Sequence, residues 1–238
     1  MKVDILAIGA HPDDVELGCA GTLLKHIHKG YTAAVLDLTR GELGTRGNPE
    51  LRLQESATAA KILGIANRSN AGFKDGFFQN DEAHRLELIR YIRFYQPAVV
   101  LANALSDRHP DHGMAARLVN DAIFLSGLPK IETFWNGEKQ KAHRPKNCYH
   151  YVQAREVPVQ LVVDITDFME TKVAAIMAYQ SQFHNPDSAE PDTFISSPEF
   201  MEFVKARASH FGVPAGYRYA EGFSASHYMG IPDLLKID

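Results

Sequence analysis

The chain predicts an α/β fold: a Rossmann-like, mostly parallel sheet with helices on both faces, in one domain over residues 1–238 with a C-terminal β/α extension. Three observations predict it. Short apolar runs alternate with segments of helical period, the pattern of parallel strands joined by covering helices. The composition, 45% hydrophobic and 23% charged, matches ordinary globular domains and excludes a disordered or fibrous chain. The length of 238 residues allows a sizeable core to be buried.

Residues 3–9 (VDILAIG) read as a buried strand, and Glu16–Lys29 as a helix ended by Gly30 at the C′ position. A second strand covers 32–38 (TAAVLDL). After the polar, glycine-rich stretch Thr39–Asn48, a helix opens at Pro49 and closes at Gly64. A weak strand near Arg68–Ala71 precedes a helix over Glu82–Tyr95, which Pro97 terminates. Residues 98–102 (AVVLA) form the next buried strand and Asp111–Ser126 the next helix. Beyond Gly127 the pattern loosens: strands are expected at Tyr149–Ala154, Gln160–Asp164 and Tyr217–Phe223, and helices at Phe168–Ser181 and Pro198–Phe211. Residues 184–198 read as a surface loop.

With 25 Lys+Arg against 29 Asp+Glu, the net charge of −4 gives no reason to expect a nucleic-acid partner. No uncharged apolar run approaches the ~20 residues of a membrane span, and the N-terminus lacks the apolar region of a signal peptide. Cys19 and Cys148 are too few for a disulfide scaffold or a thiolate zinc site. A cytoplasmic protein without a membrane partner is the expectation.

Two clusters carry the chemistry: Gly9-Ala10-His11-Pro12-Asp13-Asp14 after the first strand, and Asp107-Arg108-His109-Pro110-Asp111-His112 shortly after the 98–102 strand. Both lie at the carboxyl end of an expected parallel strand and the start of a helix, where ligands bind in open α/β sheets. In the common doubly wound order the first and fourth strands are neighbours, so the clusters can converge. A catalytic zinc site takes three protein ligands plus water. His11 and Asp14, three apart across a turn, can reach one point, and His112 can complete a His-Asp-His set. Two imidazoles and one carboxylate accept Fe²⁺ or Co²⁺ as well as Zn²⁺. Asp13, facing away from Asp14, is left free to act as general base, and His109 to stabilise an oxyanion or protonate a leaving group. The bound metal would lower the pKa of its water towards ~7. Each feature also has a bland reading: Asp13, Asp14 and Asp111 suit helix N-caps, and His-Pro before a helix is ordinary loop chemistry. The pairing of complementary ligand types at two matching strand ends favours the site.

The two motifs, AHPDD and HPDH about a hundred residues apart, resemble those of the LmbE-like (PIG-L) N-acetylglucosaminyl deacetylases. The resemblance spans the chain through TRGELGTRGNPELR (39–52), YQSQF (179–183) and YAEGF (219–223). Among subgroups it is closest to the bacillithiol-pathway enzymes acting on N-acetylglucosaminyl malate. It implies zinc ligands at His11, Asp14 and His112, Asp13 as general base, His109 at the oxyanion or leaving amine, Arg52 on the sugar, a Rossmann-like fold and a homo-oligomer, a hexamer in several relatives.

The expected reaction is hydrolysis of an N-acetylglucosaminide, the malate conjugate first, with a small amino sugar as partner. Two malyl carboxylates need basic groups, and Arg40, Arg46 and Arg52 lie on or just after the loop following the second strand. Arg40 and Arg46 read equally well as solvated loop residues. Arg144, Lys146, Tyr149 and Tyr151 form a second candidate sugar surface, although strand aromatics more often pack. A dinucleotide-dependent dehydrogenase is excluded because the first turn lacks G-x-G-x-x-G and places two aspartates where a pyrophosphate would sit. A non-catalytic metal-dependent lectin leaves Asp13 without a task. The alternative is a zinc amidase of the same machinery acting on another acylated amino sugar, a chitooligosaccharide or a thiol conjugate.

Overall fold

The computed structural model describes residues 1–184, 188–225, 227–230, 233 and 235. Seven strands form one sheet in the order β3-β2-β1-β4-β7-β9-β8. β1 (Ile5–Gly9) lies between β2 (Ala33–Thr39) and β4 (Val99–Ala102), parallel to both, and β3 (Asn67–Phe73) extends this side. β7 (Asn147–Tyr151) is parallel to β4, whereas β9 (Ala220–Ala225) runs antiparallel to both β7 and β8 (Leu161–Asp164). The expected adjacency of the first and fourth strands is therefore present, and strand order reverses between them.

The central strands read as unbroken apolar runs because both faces are covered. Leu6 and Ile8 of β1 and Leu36 of β2 pack under α3 (Glu82–Tyr95) and α4 (Pro110–Ser126). Ile5, Ala7 and Val35 pack under α1 (Asp14–His28). α2 (Pro49–Leu63) and α5 (Met169–Met177) complete that second layer, and α6 (Phe200–Gly212) packs on β9. α2 starts as its sequence dictates: the Asn48 side chain accepts the Leu51 amide at 2.8 Å, Pro49 occupies the first turn, and Gly64 at φ 69° ends it.

Some boundaries shift. α1 begins at Asp14 rather than Glu16, α5 ends at Met177 rather than Ser181, β7 covers 147–151 and β9 covers 220–225. A short hairpin, β5 (Phe134–Trp135) with β6 (Glu138–Lys139), turns through Asn136-Gly137 at φ 51° and 85°. Asn-Gly between two short runs is the standard sequence signal for such a turn, and it marks this hairpin.

α1 is broken at Cys19 (φ −146°, ψ 17°), and the C-terminal part of the chain supplies the repair. The Glu221 carboxylate accepts the freed amides of Gly21 and Thr22 at 2.9 and 2.7 Å. Lys172 and Arg207 donate to the Leu17 carbonyl, and Lys172 pairs with Glu221 at 2.5 Å, both side chains buried. Unpaired backbone groups at a buried helix break are thus satisfied by β9, α5 and α6.

Candidate active site

The β1–α1 and β4–α4 turns meet at the carboxyl edge of the sheet, around a cavity of about 620 Å³. The first turn is strained: Asp13 sits at φ 119°, a region that costs a non-glycine residue about 1–3 kcal/mol and is concentrated at functional sites. This backbone turns Asp13 away from Asp14. Its carboxylate meets the Arg52 guanidinium of α2 at 2.8 Å, while Asp14 faces the histidines. Gly41 makes room for Arg52: its φ is 66°, and a Cβ there would collide with the guanidinium.

Asp14 lies between His11 and His112, with Oδ2 3.6 Å from His11 Nδ1 and Oδ1 3.1 Å from His112 Nε2. The outer nitrogen of each ring is held by acid. His11 Nε2 lies 3.0 Å from Asp75 and 3.3 Å from Asp111, and His112 Nδ1 lies 2.6 Å from Asp107. Carboxylates on the far nitrogen of an imidazole are the usual support for a metal-ligating histidine, because they fix the tautomer and orient the ring. The donor set therefore fits a divalent ion. Among the described residues, two triads of potential ligand atoms lie within 4.8 Å of one another: His11–His109–His112 and His11–Asp75–Asp111. The His109 ring stands 4.6 Å from that of His11 and 5.1 Å from that of His112.

Electrostatics differ sharply over a few ångströms. Burial pushes Asp13 up to about 7 against the pull of Arg52, with the neighbouring Asp14 charge adding to the rise. At Asp14 burial is outweighed by His112 and His11, and its carboxyl is held well below the usual range. Burial opposes protonation of His112, yet Asp14 and Asp107 raise it to about 9; the hydrogen bonds of Asp111, Asp14 and Asp75 likewise overcome burial and raise His11. His109 moves the other way, lowered by burial and by the positive rings beside it. Its Nδ1 accepts the Asp111 amide at 3.3 Å, which leaves the proton of the neutral ring on Nε2.

All five motif residues, Asp13, Asp14, His11, His109 and His112, line the cavity together with Arg52. Arg40 and Arg46 do not, which corrects the expected arginine cluster. Arg46 is buried, and its guanidinium donates to the Ser181 and Pro191 carbonyls at 3.0 and 3.5 Å, tying the 39–48 loop to those two residues. Arg40 is exposed on a separate cavity beside Arg68 and Glu50. Both positions follow from long-range folding of the loop, which sequence proximity to the strand end does not reveal. Tyr151 is also core: buried, with its hydroxyl on the Ile8 carbonyl at 2.9 Å.

Several site residues lay outside the sequence reading. Asp75 follows β3 in a Lys-Asp-Gly segment that reads as a turn. Asn103 directly follows β4, and Gln153 follows β7 closely, so strand-end position was a usable signal for both. The cavity mouth is aromatic: Phe77, Phe194 and Phe203 line it at 61%, 48% and 37% exposure, and the Arg108 guanidinium sits 4.5 Å over the Phe194 ring.

The family model for GlcNAc-PI de-N-acetylases matches residues 6–123, from β1 through most of α4. Diacetylchitobiose deacetylase of Thermococcus kodakarensis is 30% identical over 229 residues, covering 92% of this chain and 81% of its own. The chain belongs to the PIG-L family of deacetylases. A conserved protein of Thermus thermophilus, TT1542, superposes with a TM-score of 0.85 at 36% identity, covering 97% of this chain and 98% of its own. A probable N-acetyl-α-D-glucosaminyl L-malate deacetylase of Bacillus subtilis is 26% identical over 199 residues, covering 76% of this chain and 84% of its own. As a member of this family, the chain is a deacetylase of N-acetylglucosamine-type substrates. No helix among the described residues is long and apolar enough to cross a membrane.

Proposed function

We propose that this deacetylase hydrolyses the N-acetyl group of a neutral N-acetylglucosaminide whose second unit is a sugar, as in a chitooligosaccharide, using a divalent ion, zinc first, held by His11, Asp14 and His112. The observation that carries the catalytic part is the separation of two adjacent carboxylates, one facing two acid-supported imidazoles and the other aimed into the same cavity beside Arg52. A bound divalent ion supplies Lewis acidity for the acetamide oxygen and acidifies water.

The chain's own groups do the rest. Asp13, raised to about 7, accepts a proton from the attacking water near neutral pH, where a general base is most effective. It returns that proton to the departing amine, so water and amide give acetate and free amine. His109, neutral with its proton on Nε2, donates a hydrogen bond to the developing oxyanion. Arg52 holds Asp13 in its strained conformation and borders the sugar-sized space.

The aglycone reading rests on the mouth. Phe77, Phe194 and Phe203 offer apolar faces suited to the C–H face of a sugar ring, whereas two of the three arginines invoked for a malyl group lie elsewhere. Arg108 at the rim favours the malate conjugate as a second reading, since its guanidinium suits a carboxylate. Acetate release by zinc-loaded protein from diacetylchitobiose, N-acetylglucosaminyl malate and free N-acetylglucosamine tests both. Preference for the disaccharide supports the first reading, preference for the malate conjugate replaces it with the second, and no turnover of any of the three, with metal bound, overturns both.

A further inference from the structure

Asp14 is gripped by two buried amides that neither motif contains. Asn103 Nδ2 donates to its Oδ2 at 2.9 Å, and Gln153 Nε2 to its Oδ1 at 2.9 Å. The amides also bind each other, with Asn103 Nδ2 3.1 Å from Gln153 Oε1. Each is anchored in turn. Asn103 Oδ1 accepts the Ala10 amide at 2.9 Å, and its backbone carbonyl lies 2.7 Å from His150 Nδ1. Gln153 Oε1 accepts the Ala104 amide at 3.2 Å, and its carbonyl is taken by Arg207 of α6. The pair thus bolts the ends of β4 and β7 to the first turn, and both residues are buried.

The two oxygens of Asp14 are not equivalent under this grip. Oδ2 receives the His11 amide at 2.9 Å as well as Asn103, which fills both of its lone pairs. Oδ1 receives Gln153 and turns its remaining lone pair towards His112 Nε2, which the same Gln153 amide approaches at 3.4 Å. We propose that Asn103 and Gln153 are positioning residues that present Asp14 to the metal through Oδ1 alone and thereby set metal affinity. This rests on the reading of Asp14 as a metal ligand. Neither amide carries charge, so the grip orients the carboxylate without competing for the cation.

The test is Zn²⁺ affinity of the purified full chain, measured by competition with a chromogenic chelator. Gln153→Met keeps length and packing and removes the donor; it is expected to weaken Zn²⁺ binding by about 10–100-fold, as loss of an outer support for a ligand does. Gln153→Asn keeps the polarity but cannot reach Asp14, and should weaken it in the same direction should Gln153→Met not fold. At saturating zinc, the loss should fall on kcat with KM unchanged. In an Asp14→Ala background, which is itself expected to bind Zn²⁺ far more weakly, adding Gln153→Met should change affinity less than twofold, because the amide acts through the carboxylate and not through its longer 3.4 Å approach to His112 Nε2. Folded Gln153 variants with the parent's affinity, or an undiminished effect in the Asp14→Ala background, would overturn the proposal. Unchanged Zn²⁺ affinity in Asp14→Ala alone would instead overturn the ligand reading on which it stands.

Discussion

The parallel side of the sheet, β3-β2-β1-β4, and the side built on β7, β9 and β8 contribute to the same cavity in different ways. The parallel side brings reactive groups on two strand-to-helix turns, each within six residues of sequence: His11, Asp13 and Asp14 on one, His109 and His112 on the other. The other side brings single residues from scattered places: Gln153 beyond β7, Phe194 on a short 3-10 turn, Phe203 and Arg207 on α6. Chemistry that needs several donors at one point is most readily built on one turn, where backbone geometry fixes their spacing. Recognition and support need only one contact from each element, and they come from wherever the fold passes.

If that division holds, the largest effect comes from the first turn. Asp13→Asn should lower kcat by about 10²–10⁴-fold, the usual contribution of a positioned acid–base group, with zinc content unchanged by atomic absorption. A variant retaining a tenth of parent activity would remove Asp13 from the general-base role. The C-terminal side should instead fail in stability. Lys172→Met strands the buried Glu221 charge and should cost about 3–5 kcal/mol in urea unfolding, the range for breaking a buried pair; a loss under 1 kcal/mol would mean that the α1 break does not depend on it.

A pH series sharpens the role of the two turns. In the metal-free protein His112 holds its proton up to about pH 9, and His11 is raised as well. A ligating imidazole must be deprotonated, so zinc displaces these protons, and apparent affinity should climb with pH. The rise should approach tenfold per unit for each proton displaced, with the His112 part levelling off above about pH 9. Chelator competition at pH 6.5, 7.5 and 8.5 reads this directly, and a flat profile would separate His112 from the metal.

Smaller effects belong to the mouth. Phe194→Ala should raise KM for diacetylchitobiose about 3–10-fold, as loss of roughly 1 kcal/mol of aromatic contact does, and leave free N-acetylglucosamine nearly unaffected. A fall in kcat as large as that of Asp13→Asn would erase the distinction between the two sides. Smallest of all, Arg40→Ala should change kcat/KM less than twofold on any of these substrates, since its side chain faces another cavity.

The sequence by itself determined the α/β class, the run of central strands and helices through α4, and the group of His11, Asp13, Asp14, His109 and His112. It could do so because burial on both faces writes strands as continuous apolar runs, and because ligands spaced three residues apart across a turn must converge. Arg52 was legible only through its family motif. What the tertiary structure decided depends on long-range contact. Arg46 reads as a substrate arginine in sequence, whereas in the fold the Ser181 and Pro191 carbonyls take its guanidinium. Asp75, Asn103 and Gln153 are ordinary polar residues in sequence; they acquire roles only when the carboxyl ends of β3, β4 and β7 lie along one edge of the sheet and aim them at His11 and Asp14. No local pattern encodes that meeting, because the partners lie 64 to 139 residues apart and are brought together by strand order rather than by spacing.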